Sequence, residues 1–338
     1  MSQASDIAAG RLPPERLARN FQDLHPPLGQ REARVAAERC LFCYDAPCVQ
    51  ACPTSIDIPL FIRQIGTGNP LGRDTATQAS SVLAGEGLFK ESKVKPAIRA
   101  NDTSDIWMVR GGTYNKSPSR PFRSASLSRV MHGGSSGAQR TGTDLGLYSI
   151  TFNNDLDADL RSMEAFAQFR ADAAQHGFKY FLEVFNPNAG RDLTPDIMPH
   201  YVNDSIVRCL AGVSKADRPQ FLKIAYNGPK ALEELAGYDP GMVVGVLGGG
   251  AGTTRDCFEL LAQSERYGAR VALFGRKINL AEDPLTMIEM MRNVADGTVK
   301  PQEAVRAYHG VLAKKGIKPA RSAEDDGAIS EVVLKQAA

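Results

Sequence analysis

The chain has 338 residues, of which 43% are hydrophobic and 23% charged, and its 40 basic and 38 acidic side chains give a formal net charge of +2. The length suggests one large domain or two ordinary ones, and the composition is typical of a globular protein. Because the charges nearly balance and no apolar stretch approaches the roughly 18 residues of a membrane span, we expect neither a nucleic-acid nor a membrane partner.

The composition divides the chain into five consecutive segments. Residues 1–30 are polar and dotted with proline, which predicts an arm. Residues 31–70 have helical spacing around a cysteine loop and predict a small α-helical segment, and residues 71–89 predict a linker. Residues 90–325 predict a β/α domain, and residues 326–338 predict a tail.

Four of the six cysteines lie in one short run, Cys40-x-x-Cys43-x4-Cys48-x3-Cys52-Pro53. Closely spaced thiolates followed by proline are typical ligands of a cubane iron–sulfur cluster. Tetrahedral zinc also suits four thiolates, and a remnant without metal is the third interpretation. A disulfide framework fits poorly, because no apolar signal core precedes the run and the other two cysteines are distant. We therefore predict that the run can hold one [4Fe–4S] cluster and that the protein is cytoplasmic.

From about residue 90, short apolar stretches alternate with amphipathic ones. The apolar stretches predict strands at Ile106–Val109, Leu147–Phe152, Tyr180–Phe185, Gln220–Tyr226, Met242–Leu247 and Arg270–Phe274. The amphipathic stretches predict helices at Asp157–His176, Asp196–Ala211, Pro229–Ala236, Thr254–Tyr267, Pro284–Ala295 and Pro301–Lys315. This alternation favours a parallel sheet covered by helices, whereas Gly111–Gly146 lacks periodicity and predicts a long loop.

Two glycine-rich segments follow late strands of this pattern. Residues 248–254 read GGGAGTT between a strand and a helix, and Gly275, Arg276 and Lys277 follow the next strand. Bare amides at a helix N-terminus suit a phosphate, although a tight turn uses glycine equally well. Dinucleotide-binding units place such glycines after their first strand, whereas (β/α)8 barrels bind phosphate after the last two. We predict an α/β fold of the (β/α)8 TIM-barrel type, compressed in its first strands and preceded by the small α-helical iron–sulfur-type segment.

Two charged residues lie inside otherwise apolar strands. Lys223 occurs in FLKIAY at 221–226, and Glu183 occurs in FLEVF at 181–185. A neutral amine is the nucleophile that forms a Schiff base with a carbonyl, and desolvation favours the neutral form of a buried lysine. A nearby carboxylate could carry protons to and from the intermediates. The alternatives are a buried structural Lys–Glu pair and two strand-end side chains that point to solvent.

Four pieces of the predicted barrel share a known order and spacing: FLEVF at 181–185, FLKIAYNG at 221–228, VVGVLGGGAGTT at 243–254 and VALFGRKIN at 271–279. They resemble the fifth to eighth strands of the class I aldolases that include archaeal-type fructose-bisphosphate and tagatose-bisphosphate aldolase. This resemblance implies that Lys223 forms the Schiff base and Glu183 shuttles protons, with no cofactor. It implies a small phosphorylated carbonyl substrate and a homo-oligomer. It also implies phosphate contacts from Gly249, Gly250, Gly275 and Arg276.

The chain departs from that family in its earlier strands. The family's fourth strand commonly ends in a lysine or an acid, whereas YSITFNND at 148–155 carries Thr151 and Asn153. The usual aspartate of the first strand is matched by Asp102 or Asp105 in RANDTSDIW, and we take Asp105 as the catalytic candidate. These departures leave the identity of the substrate open.

The stretch AERCLFCYDAPCVQACPTSIDIPLFIRQIGTGN is similar to the N-terminal iron–sulfur domain of dihydropyrimidine dehydrogenase and of the glutamate synthase small subunit, across Glu38–Asn69. That family adds further cysteines some tens of residues later to complete two [4Fe–4S] clusters, but here the next cysteine after Cys52 is Cys209. The resemblance therefore implies one cluster in a truncated domain. Two hypotheses follow: a class I aldolase-like lyase with an N-terminal appendage, or an electron-transfer subunit for a flavoprotein partner, with the barrel as a binding scaffold.

Overall fold

The structure, a computed structural model, describes residues 36–37, 39–40, 95–106, 112–132, 142–190, 192–248 and 252–336. The chain divides into two compact units, Met1–Arg73 and Asp74–Ala338. In the first unit the described residues are part of one helical turn, in which the amide of Cys40 donates to the carbonyl of Ala37 at 3.1 Å. The predicted arm, the predicted linker and most of the predicted iron–sulfur-type segment lie outside the described residues.

The second unit contains a sheet of six parallel strands and a separate two-stranded antiparallel ladder. In chain order, the strands of the described residues are β1 Ile98–Arg99, β2 Asp102–Thr103, β3 Pro121–Phe122, β4 Leu145–Thr151, β5 Lys179–Phe185, β6 Leu222–Ile224, β7 Val244–Leu247 and β8 Val271–Leu273. The order of the large sheet is β1-β4-β5-β6-β7-β8, and β2 pairs with β3. From β5 onward each strand lies beside the strand that precedes it in sequence, which is the strand order of a β/α barrel.

Helices connect these strands. The described α-helices are α1 Leu127–His132, α2 Leu156–His176, α3 Met198–Leu210, α4 Pro229–Tyr238, α5 Thr254–Arg266, α6 Arg276–Asn279, α7 Pro284–Ala295, α8 Pro301–Lys314 and α9 Ala323–Asp326. Local sequence fixes several starts: the side chain of Asp155 accepts from the amide of Ala158 before α2, and prolines begin α4, α7 and α8. Within the described ranges, no helix combines the length and the apolar character that crossing a membrane requires.

Most predicted elements are confirmed, with differences before β4. All six predicted helices and five of the six predicted strands occur within a few residues of the expected bounds. At the sixth, Ile106–Val109, Ile106 lies in a turn and the other residues lie outside the described ranges. The sheet neighbour of β4 is instead β1, whose two residues are too few to show alternation. Helix α1 also corrects the prediction of a continuous loop over Gly111–Gly146, since six residues are too few to reveal a helical period.

The described part of the chain forms a parallel half-barrel. Strands β1 and β8 are the two ends of the six-stranded sheet in these residues. The predicted α/β class and the predicted parallel strands are therefore confirmed, and closure into eight strands is not seen in the described ranges.

The two faces of the sheet have different roles. Tyr148 of β4 stacks on Phe169 of α2 with ring centroids 4.4 Å apart, and Ile150 is buried in the same core. Because side chains alternate along a strand, Ser149 and Thr151 point to the opposite face. We call this opposite side of the sheet the inner face.

The C-terminal segment belongs to the folded unit. Leu334 lies in a 3₁₀ turn at Val332–Gln336 and is fully buried. Its carbonyl oxygen accepts from Nε2 of Gln263 on α5 at 2.8 Å. Asp326, the first residue of the predicted tail, is buried as well. Residues 326–336 therefore pack on the domain, because their polar groups complete hydrogen bonds with α5.

Candidate active site

Lys223 and Glu183 lie side by side on the inner face. Parallel pairing places Glu183 of β5 opposite Lys223 of β6, and Ser149 of β4 opposite Glu183. Lys223 Nζ is 2.6 Å from Glu183 Oε1. The Glu183 side chain is 2% exposed and the Lys223 side chain is 19% exposed, so the carboxylate is buried while the lysine side chain remains partly exposed. The structure thus brings together the two residues that the sequence analysis selected from separate strands.

The second oxygen of this carboxylate has partners from two further strands. Glu183 Oε2 accepts from Ser149 Oγ at 2.8 Å and lies 3.5 Å from Nη2 of Arg99 on β1. Arg99 Nη1 in turn donates to Ser149 Oγ at 3.0 Å. Asn101 fixes the serine backbone, because its Oδ1 accepts from Ser149 N at 2.7 Å and its Nδ2 donates to Ser149 O at 2.8 Å. We name Arg99, Ser149, Glu183 and Lys223 the Lys223 cluster; its contacts hold one carboxylate in a single orientation.

The inner face next to Lys223 has little side-chain bulk. Gly245 of β7 lies in register with Lys223, and a Cβ at this position would be 2.8 Å from the carbonyl oxygen of Leu222 and 3.0 Å from Cβ of Val271. Glycine at this position lets the neighbouring strands approach closely, since a larger side chain would collide with them. On the other side, the buried hydroxyl of Thr151 has no hydrogen-bond partner among the described residues. The inner face therefore includes an unused polar group.

Asp105, the third predicted catalytic residue, lies in the turn after β2. Its Oδ1 accepts from Ser119 Oγ at 2.5 Å. In the described residues no hydrogen bond or ion pair joins it to Lys223 or Glu183. This contact connects the turn after β2 to the residues before β3. The catalytic role of Asp105 stays a prediction.

The predicted phosphate residues lie at the ends of β7 and β8. Gly249 and Gly250 are outside the described residues, whereas Gly275 and Arg276 are exposed at the start of α6. A Cβ on Gly275 would meet no heavy atom within 4 Å. The neighbouring Lys277 does not point to solvent, because its Nζ donates to the carbonyl of Gly252 at 2.6 Å. This hydrogen bond connects the end of the glycine-rich segment to the residues that follow β8. Burial lowers the pKa of Lys277.

The N-terminus of α5 is already bound to carboxylates of the chain itself. The amide of Thr253 donates to Asp256 Oδ2 at 2.7 Å, and the amide of Thr254 donates to Asp326 Oδ1 at 2.8 Å. The second carboxylate oxygen of Asp326 contacts Nε2 of His309 at 2.9 Å. We name Asp256 and Asp326 the α5 acid pair. The capping sequence Thr253-x-x-Asp256 is visible in the sequence, but Asp326 comes from about 70 residues later and only folding places it there.

Both members of the α5 acid pair favour the ionised form. Burial raises the pKa of Asp256, but hydrogen bonds from Ser330, Thr253 and Glu331 outweigh this effect, and the pKa lies below its ordinary value. For Asp326, burial again raises the pKa, and hydrogen bonds from Thr254 and His309 lower it below the ordinary value. The helix N-terminus therefore carries two negative charges before any ligand arrives.

The cysteines fall into two groups. Cys40 is partly exposed with a free thiol, and the other three cysteines of the predicted cluster site lie outside the described residues. Cys209 and Cys257 are buried, and burial raises the pKa of each thiol to about 12. Within the described ranges, no group of three or more His, Cys, Asp or Glu side chains could hold a metal ion. The run of four thiols is chemically suited to a [4Fe–4S] cluster by ligand type and number.

The fold and the site together define a parallel β/α unit with an inward-facing lysine–carboxylate pair, preceded by a cysteine-rich segment. Residues 17–85 match the family model described as dihydropyrimidine dehydrogenase domain II, 4Fe-4S cluster. This match confirms the resemblance predicted for the N-terminal segment. Among solved structures, the chain is similar to an archaeal fructose 1,6-bisphosphate aldolase, with 17% identity, a TM-score of 0.45 and coverage of 64% of this chain and 81% of that one. The observed strand order defines the fold independently of this comparison.

Proposed function

We propose that the second unit is a lyase of the class I aldolase type, in which Lys223 forms a Schiff base with a carbonyl substrate. The observation that carries the proposal is the 2.6 Å contact between Lys223 Nζ and Glu183 Oε1, because it gives the nucleophile a base within hydrogen-bonding distance. A purely structural function would explain the pair less well, since apolar residues often replace a buried ion pair without loss of stability.

The chemistry requires one group that attacks and one group that moves protons. Glu183 accepts a proton from the ammonium of Lys223, and the amine then bonds to the carbonyl carbon of the substrate. The carbonyl oxygen takes up protons and leaves as water, which gives an iminium ion. The substrate carries a hydroxyl on the second carbon from the iminium carbon, and this hydroxyl loses its proton to Glu183. The bond between the hydroxyl-bearing carbon and the carbon next to the iminium carbon then breaks, and an aldehyde departs. The remaining enamine is protonated and hydrolysed, which regenerates Lys223.

The substrate would enter from the carboxyl ends of the strands, where parallel β/α folds place their ligands. A phosphate on the substrate would contact four residues at this edge: Gly249, Gly250, Gly275 and Arg276. Exposure of Gly275 and Arg276, and the open space around Gly275, support this part of the proposal.

Reductive trapping tests the Schiff base directly. The purified chain is incubated with dihydroxyacetone phosphate, hydroxyacetone or pyruvate and reduced with borohydride, and intact mass and peptide mapping locate any adduct. We expect a single adduct on Lys223. Labelling spread over exposed lysines such as Lys179, or no labelling with any carbonyl compound, would contradict the proposed function.

A second function, electron transfer, is favoured by the family match over residues 17–85. Cys40, Cys43, Cys48 and Cys52 would hold a [4Fe–4S] cluster, which supplies one-electron transfer when bound, and the partner would be a flavoprotein. Anaerobic purification with iron and zinc analysis tests this function. About four irons per chain with broad visible absorbance would support it; a colourless protein without iron would exclude it, and a single zinc would assign the thiols to a structural site.

A further inference from the structure

The Lys223 cluster carries more positive than negative charge. Arg99 and Lys223 contact opposite oxygens of the same carboxylate, Glu183, at 3.5 and 2.6 Å. The other partners of this carboxylate and of Arg99 in the described residues are the neutral Ser149 and its neighbours. Two cations and one anion thus leave one positive charge, carried by two partly exposed side chains. An anionic group of a ligand would be attracted to this charge, so the cluster favours an anionic ligand.

Thr151 provides a second, independent indication of a ligand. The residue is 2% exposed, and its Oγ1 has no hydrogen-bond partner in the part of the chain that the structure describes. Most buried hydroxyls in native proteins are hydrogen-bonded, so an unpaired one calls for a ligand or water. Thr151 lies two residues beyond Ser149 on the inner face, towards the carboxyl end of β4. Its hydroxyl and the guanidinium of Arg99 therefore lie on the same side of Lys223, on neighbouring strands.

The N-terminus of α5 provides fewer free donors than its glycine-rich sequence suggests. Thr253 and Thr254 donate their amides to the α5 acid pair, so these donors are occupied. Asp326 of this pair also contacts His309 and Arg321, so its charge is compensated within the chain. A net positive charge remains at the Lys223 cluster, where two cations share one carboxylate.

We infer that the substrate of this site is a 2-oxo acid, whose carboxylate binds Arg99 and the Thr151 hydroxyl while its C2 carbonyl reacts with Lys223. In such a compound the carboxylate is bonded directly to the reacting carbon, which suits an anion site only a few bonds from the amine. This inference rests on the proposed Schiff-base function and specifies its substrate class.

The reaction balances without an oxidant or reductant. The Lys223 nitrogen bonds to C2, the C2 oxygen leaves as water, and Glu183 carries the protons. In a 4-hydroxy-2-oxo acid, the C3–C4 bond breaks when the C4 hydroxyl loses its proton, and an aldehyde departs. The bonding electrons pass into the enamine, which takes a proton at C3 and is hydrolysed to pyruvate and the free amine.

The test compares two probes that differ in charge. Pyruvate carries the carboxylate, and hydroxyacetone replaces it with an uncharged hydroxymethyl group. The full-length chain is reduced with cyanoborohydride over a concentration series of each probe, and the adduct on Lys223 is quantified by mass spectrometry. We expect the concentration that gives half-maximal labelling to be at least about tenfold lower for pyruvate than for hydroxyacetone, because pyruvate makes a charge-assisted contact.

Two variants assign the preference to its residues. In Arg99→Gln the ratio between the half-maximal concentrations of hydroxyacetone and pyruvate should fall roughly tenfold or more. Any loss that follows from the altered Glu183 contact affects both probes and leaves this ratio unchanged, and thermal unfolding shows whether the domain is still folded. Thr151→Val should weaken labelling by pyruvate several-fold without lowering the melting temperature, because the hydroxyl has no partner in the protein to lose. Ser264→Ala is the matched control: its hydroxyl is equally buried and unpaired, but it lies on α5, so labelling should not change.

The outcomes separate this inference from the function on which it rests. Labelling of Lys223 by dihydroxyacetone phosphate in preference to pyruvate would overturn the 2-oxo acid assignment and leave the Schiff-base function standing. A pyruvate preference that survives both Arg99→Gln and Thr151→Val would overturn the proposed anion site. No adduct with any of the three carbonyl compounds would overturn both the inference and the proposed function.

Discussion

The Lys223 cluster and the α5 acid pair use similar residue types in opposite ways. In the Lys223 cluster one carboxylate lies between two cations, and the neighbouring Thr151 hydroxyl lacks a partner. At α5 the two carboxylates accept hydrogen bonds from backbone amides and side chains, and most of their acceptor positions are filled. A saturated acid holds elements together, whereas the Lys223 cluster retains a partly exposed amine and lies near a hydroxyl that has no partner among the described residues. Saturation of hydrogen bonds, more than burial or charge, distinguishes the two regions.

Replacing the lysine of each region should give the largest contrast. Lys223→Met removes the amine, so we expect complete loss of the borohydride-trapped adduct and of any carbon–carbon cleavage. Lys277→Met removes a lysine that bonds the carbonyls of Gly252 and Thr253, so it should lower the melting temperature and leave the adduct intact. Intact mass after reduction and thermal unfolding check both results. An adduct that persists in Lys223→Met would refute the assigned nucleophile.

The acid of the cluster should have the next largest effect. Glu183→Gln keeps the shape of the side chain but removes the proton acceptor, so the rate of adduct formation should fall about 10²- to 10⁴-fold. Stopped-time trapping with a fixed carbonyl concentration measures this rate. Glu259→Gln is the control, because Glu259 is also buried and paired with an arginine, but lies on α5. Equal rates in the two variants would show that Glu183 is a structural partner only.

Replacing Asp326 of the α5 acid pair should change the free energy of unfolding and its dependence on pH. The pKa of Asp326 is lowered in the folded state, so its contribution to stability is present above the unfolded pKa of about 3.9 and is lost as the pH falls through the folded value. We expect Asp326→Asn to lower the free energy of unfolding by about 1–3 kcal/mol at pH 7. Its stability should also depend less on pH below about 4.

Urea unfolding between pH 7 and pH 3 measures both effects for this variant. Glu324→Gln, an exposed change on the same short helix, serves as the control and should follow the parent protein. A parallel pH profile for Asp326→Asn and the parent would mean that Asp326 is not ionised in the fold. Adduct formation at Lys223 should be the same in all three proteins.

The capping threonine should give the smallest effect. Thr253 Oγ1 accepts from the amide of Asp256 at 3.1 Å and donates to the carbonyl of Ala328 at 2.7 Å. Thr253→Ala should therefore lower the free energy of unfolding by about 1 kcal/mol. Thr298→Ala, whose exposed hydroxyl bonds only the carbonyl of Asn293, should change stability less. If Thr253→Ala instead abolished trapping at Lys223, the separation between the two regions would not hold.

The sequence identified the central pair of the site but not its surroundings. Lys223 and Glu183 stood out because charged residues are rare in apolar strands, and parallel register then placed them opposite each other. Arg99 gave no such signal, because β1 has two residues and shows no alternation. Ser149 also gave none, since a serine in a strand is common until its contact with Glu183 is seen. These partners come from strands distant in sequence, so only the sheet brings them to the carboxylate.

The amino-acid sequence by itself determined the order of strands and helices from β4 onward and the candidate nucleophile and acid. It also determined the cysteine pattern that the family model matches over residues 17–85. These features are local, because periodicity, capping and ligand spacing are set by neighbours along the chain. Tertiary structure alone decided that Asp326 would close the N-terminus of α5 and that Arg99 would reach Glu183. The physical reason is that a carboxylate binds whichever donors folding brings within hydrogen-bonding distance, and in both places those donors are remote in sequence.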